Sequence, residues 1–73
     1  MTDGGLTEES IGKRIAAWRR RRGFRTAKDL ADAIPVDSIT EAVIQNIEAG
    51  RKADLAVSQL LNIAYALRVA PAF

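Results

Sequence analysis

A chain of 73 residues makes one domain at most and buries only about 60% of the surface its unfolded form exposes. Its 48% hydrophobic and 27% charged residues argue against disorder, and no apolar run is long enough for a membrane span. Cysteine and histidine are both missing. That excludes disulfides, thiolate metal sites, the commonest zinc ligand and His-dependent nucleophilic catalysis. The net charge is only +2, yet eight of the eleven bases lie in one acid-free block from Lys13 to Lys28. Such a block suits either a polyanion partner or a solvated helix end.

In chain order, residues 1–6 read as a polar tail with no apolar signal segment behind Met1. A domain then occupies 7–73. The first helix should start at Thr7 as N-cap, with Glu8 and Glu9 in its first turn and Leu6 and Ile11 as a hydrophobic staple. Ile11, Ile15 and Trp18 make one buried stripe, and Gly23 is the natural stop. Of the arginines, Arg19 and Arg22 share a face, while Arg20, Arg21 and Arg22 are expected in solvent.

A second helix is predicted over 27–34, capped by Thr26 with Asp29 in the box position and ended by Pro35. A third fits 41–49, with Thr40 favoured over Ser38 as cap, Ile39 and Ile44 as staple, and Gly50 as stop. A fourth runs over about 56–68, with Val57, Leu60, Leu61, Ala64 and Leu67 at helical spacing. Residues Ala70 to Phe73 read as the opening of a fifth helix, which makes a larger parent protein plausible. Trp18, Leu30, Ile44, Ile47, Leu60 and Leu67 are the expected core of an all-α, compact four-to-five-helix bundle.

The segments IGKRIAAWRRRRGF (11–24), TAKDLADAI (26–34), TEAVIQNIEAGRK (40–52) and LLNIAYALRV (60–69) occur in this order. Together they resemble the helix-turn-helix domain of Cro and lambdoid phage repressors, the XRE-like family. The resemblance covers about Ile11 to Val69. It departs from the family in a turn, Pro35 to Thr40, about three residues longer than usual, with Pro35 where glycine is common. One extra residue also separates Gly23 from Leu30.

The resemblance implies a cytoplasmic, nucleoid-associated regulator, a repressor, that binds double-stranded DNA with helix 41–49 in the major groove. The outward residues of that helix, Glu41, Ala42, Gln45 and Asn46, have groove chemistry. Asn and Gln bond bidentately to adenine, Ala meets a thymine methyl, and Glu accepts from cytosine N4. By the resemblance, Glu41, Ala42 and Asn46 occupy the main base-reading positions. Phosphate contacts are expected at Arg25, Ala27, Lys28, Thr40, Arg51 and Lys52, the Ala27 position being the N-terminus of the second helix. Four charged contacts imply a salt slope of about −3.6. The family also pairs the residues matching Arg19 and Glu48 as a structural ion pair, and its dimers use the C-terminal region. No cofactor, metal or small-molecule site is expected.

The alternative on the same fold is a protein-interaction or antitoxin-like module that reads no bases, which the longer turn and the acidic Glu41 favour. Binding to a membrane surface through the first helix is poor, because Trp18 is needed in the core. An enzyme is poorer still. Ser10, Ser38 and Ser58 have no histidine partner, and Gly50-Arg51-Lys52 lacks the spacing of a phosphate loop.

Overall fold

The computed structural model describes residues 7–51 and 56–69, with residues 8 and 9 by backbone alone. Expectations at Leu6, Lys52 and Ala70 to Phe73, including a fifth helix, lie outside the described residues. Those residues form helices α1 (Glu8–Arg21), α2 (Ala27–Asp32), α3 (Glu41–Glu48) and α4 (Val57–Leu67), with no strand among them.

The first three helices each start where a threonine side chain satisfies a free N–H group of the first turn. Thr7 caps α1 through a reciprocal box: its Oγ1 accepts from the Ser10 N–H at 3.1 Å, and the Ser10 Oγ accepts from the Thr7 N–H at 3.0 Å. Serine here takes the place of the usual Glu or Gln. Thr26 accepts from the Asp29 N–H at 3.1 Å, and Thr40 from the Val43 N–H at 3.3 Å. Ala56 precedes α4 without a side-chain cap.

The helix ends are equally explicit. Gly23 closes α1 at φ 87°, where its N–H bonds to the Arg20 carbonyl and the Phe24 N–H to the Arg19 carbonyl. Gly50 closes α3 in the same way at φ 73°. These are Schellman turns, in which the left-handed residue costs glycine nothing. Arg68 ends α4 in the same left-handed region at φ 58° without being glycine. The second helix stops at Asp32 rather than 34. Beyond it Ala33 and Ile34 make tighter i→i+3 bonds to Leu30 and Ala31, since the residue before Pro35 resists the α conformation.

The core is built mainly from β-branched residues and leucine. Ile15, Leu30, Ile44, Ile47, Ile63 and Leu67 are fully enclosed, with Ile34, Ile39, Ala27 and Ala64 around them. Ile39 and Ile44 bracket the start of α3 inside this cluster, as a staple should.

Two core expectations, Trp18 and Leu60, and two members of the expected α4 stripe, Val57 and Leu61, need correction. Trp18 and Leu60 are half-buried and pack against the core from its edge. Val57 and Leu61 are 71% and 49% exposed. The inner stripe of α4 is Leu60, Ile63, Ala64 and Leu67, and Val57, Leu61 and Tyr65 flank it. Because α4 is apolar on most sides, helical spacing alone does not choose between Leu61 and Ile63.

Two contacts set how α1 meets its neighbours. A Cβ on Gly12 would overlap the Ile47 carbonyl oxygen and lie 2.8 Å from that of Glu48, so α1 crosses the end of α3 backbone against backbone. At the other end of α1, Arg22 is exposed as expected but also makes a specific contact that was not expected. Its Nε donates to the Leu67 carbonyl at 2.9 Å, so a cation serves the end of α4. Arg22 also stands with Arg21 over the Trp18 ring, at 5.0 and 5.4 Å from its centroid.

Candidate nucleic-acid interface

The alternation of isoleucine and polar residues along α3 divides it into two faces. Ile44 and Ile47 are 0% and 1% exposed, while Glu41, Ala42, Gln45 and Asn46 are all exposed. The four expected base-reading residues therefore share the open side of a helix whose back is locked.

The lock has a polar part too. Arg19 is 7% exposed, the buried charged residue among those described. Its Nε donates to Glu48 Oε2 at 2.7 Å and its Nη2 to Glu48 Oε1 at 3.2 Å, a bidentate pair. Its Nη1 donates to the Phe24 carbonyl at 3.0 Å. One guanidinium thus ties the end of α1, the following turn and the end of α3 together. Arg19 and Glu48 are brought together as the resemblance implied.

The outward residues of α3 are not independent. Gln45 Nε2 donates to Glu41 Oε2 at 3.3 Å. Arg51 Nε and Nη2 both donate to Asn46 Oδ1, at 3.2 and 3.1 Å. Sequence reasoning missed both pairs, for which Glu41 and Gln45 at i and i+4 and the stop at Gly50 are permissive signals only. A Schellman turn at Gly50 carries the residue after it back over the last turn of the helix, here onto Asn46.

Comparison with protein-family models, curated proteins and solved structures finds no match.

The expected phosphate contacts are distributed around this face with different freedom. Arg25 is exposed. The Ala27 side chain is buried, which leaves only its backbone to meet an anion. Lys28 is engaged by Asp32 at 2.9 Å. The hydrogen bond and charge of Asp32 raise the lysine's pKa above its ordinary value, so it stays a cation, but a phosphate has to compete for it. The Thr40 Oγ1 caps α3, and its O–H remains a donor. Lys52 lies outside the described residues.

The long turn leaves a mark of its own. Between α2 and the start of α3 lies an open concavity of about 410 Å³, lined by Ile34, Val36 and Ile39, by the acids Asp32, Asp37 and Glu41, and by Lys28, which is paired with Asp32. On the far helix, Val57, Leu61 and Tyr65 form a second exposed apolar feature at i, i+4 and i+8. Among the described residues no helix is long and apolar enough to cross a membrane, and no three acidic side chains are grouped to hold a metal ion.

Proposed function

We propose that the protein is a sequence-specific double-stranded DNA-binding regulator, a repressor, with α2, the turn and α3 acting as a helix-turn-helix unit and α3 entering the major groove. The observation that carries this reading is the division of α3. Its apolar side is fixed by Ile44, Ile47 and the Arg19–Glu48 pair, and its open side offers Glu41, Ala42, Gln45 and Asn46. A groove about 12 Å wide accepts one helix, and a rigid mounting keeps its side chains in register with base edges. The cationic block of α1 and the α1–α2 turn supplies a field that draws in the duplex. A homodimer through the C-terminal region belongs to the same reading. The exposed stripe of α4 is its support among the described residues.

The concavity, where Asp37 and Glu41 stand beside the Lys28–Asp32 pair, favours a second reading, a protein-interaction or antitoxin-like module that reads no bases. Affinity for mixed-sequence duplex DNA, measured by anisotropy at several salt concentrations, separates the two. A regulator binds with a salt slope of about −3.6 for four charged phosphate contacts. Lys52→Ala then weakens all duplexes alike, and Asn46→Ala changes preference at one base pair. No binding even at low salt leaves the interaction module.

A further inference from the structure

The geometry points to Asn46 and Arg51 acting as one donor-only reader of guanine, instead of Asn46 alone reading adenine. This rests on the DNA-binding reading above and names the base that α3 selects. Arginine has donors only, so the Asn46 atom facing Arg51 has to be the carboxamide oxygen. Two N–H groups converge on that oxygen, which has two lone pairs to give. The arrangement is local and held by the main chain. The Gly50 N–H bonds to the Ile47 carbonyl at 3.1 Å and the Arg51 N–H to the Asn46 carbonyl at 2.9 Å. Both side chains are exposed, on the open side of α3 and just past its end.

Adenine needs an acceptor for its N6 amino group and a donor for N7, and asparagine serves it only when both halves of the carboxamide are available. With Oδ1 occupied, the pair has only the Asn46 Nδ2 hydrogens and the remaining Arg51 N–H groups to offer. Guanine presents N7 and O6, both acceptors, and matches that set. The neighbouring pair is polarised the other way. Gln45 spends one of its two amide hydrogens on Glu41, and the pair keeps one N–H but is dominated by acceptors, Gln45 Oε1 and the carboxylate, which suit the N4 amino group of cytosine. The edge of α3 is therefore complementary to a G·C pair, donors toward guanine and acceptors toward cytosine.

The test is selection of bound duplexes from a random pool by the full chain, by Arg51→Lys and by Asn46→Ala, with unfolding curves to verify that each variant folds. Arg51→Lys keeps the charge but loses the planar fork, so at most one ammonium N–H replaces the two donors on Asn46 Oδ1, and a lone pair is freed to accept from adenine N6. The wild type should select guanine at one position, and adenine there should weaken binding roughly 5- to 150-fold. Arg51→Lys should shift that position toward adenine, and Asn46→Ala should lower its selectivity. Adenine selected by the wild type, or a guanine preference that Arg51→Lys leaves intact, overturns the inference while DNA binding stands. A wild-type protein that enriches no duplex overturns the DNA-binding reading and this inference with it.

Discussion

Replacing Gly12 with alanine sets two effects of opposite sign against each other. In a helix interior, alanine is favoured over glycine by about 1 kcal/mol. Against this, the new methyl would stand 2.8 Å from the Glu48 carbonyl oxygen and overlap that of Ile47. An ordinary carbon–oxygen contact is about 3.3 Å, so the Glu48 oxygen has to yield by about half an ångström and the nearer Ile47 oxygen by about one. Both obstacles are backbone atoms, which cannot rotate away as a side-chain end can. The cost therefore belongs at the upper end of the 1–3 kcal/mol typical of overpacking. The same displacement strains the Arg19–Glu48 pair, which bridges the same two helices. A net loss of about 2 kcal/mol is expected, which lowers the melting midpoint by about 8–16 °C for a domain of this size. Urea and thermal unfolding followed by circular dichroism measure it. Ala17→Gly is the control: it is exposed on the same helix and should lose only the propensity term of about 1 kcal/mol. A Gly12→Ala protein as stable as the wild type, or more so, refutes the close crossing.

Other substitutions test the remaining framework. Arg19→Ala strands the Glu48 carboxylate, whose side chain is only 13% exposed, and should cost about 3–5 kcal/mol in chemical denaturation. The double variant with Glu48→Ala should recover part of that loss. Ile63→Ala should cost about 2–5 kcal/mol while Tyr65→Ser, at 84% exposure, stays within about 0.5 kcal/mol. The reverse order would mean that α4 is rotated from the position described. Arg68→Gly relieves a left-handed arginine and keeps the carbonyl that receives Arg22 Nη2, so a gain of about 1 kcal/mol is expected from equilibrium unfolding.

Much of this architecture was readable in the residues themselves. Thr7, Thr26 and Thr40 cap the helices they were expected to cap, because a short hydroxyl before an apolar-periodic run has few other uses. Gly23 and Gly50 stop helices for a reason as local. The inner face of α4 was less legible. In VSQLLNIAYAL nearly every register offers an apolar stripe, and only the shape of the remaining core picks Ile63 over Leu61. Gly12 was silent because close backbone approach leaves no trace in a single helix pattern. Arg22 is exposed as expected, but its partner was not legible, because the Leu67 carbonyl lies 45 residues away and belongs to the main chain. At the candidate interface the exposure of Glu41, Ala42, Gln45 and Asn46 followed from period alone. Their pairing into Glu41–Gln45 and Asn46–Arg51 depends on rotamers and on the path after Gly50, which spacing does not encode.

The clustering of Arg21 and Arg22 over Trp18 gives the molecule an optical probe of its own. Trp18 is the single indole in the chain, and Arg22 touches both its ring and the terminal carbonyl of α4. Undocking the end of α4 releases that arginine and alters the charge beside the ring. Ultraviolet-excited emission thus registers the seating of the last helix with no attached dye, and no second tryptophan confuses the signal.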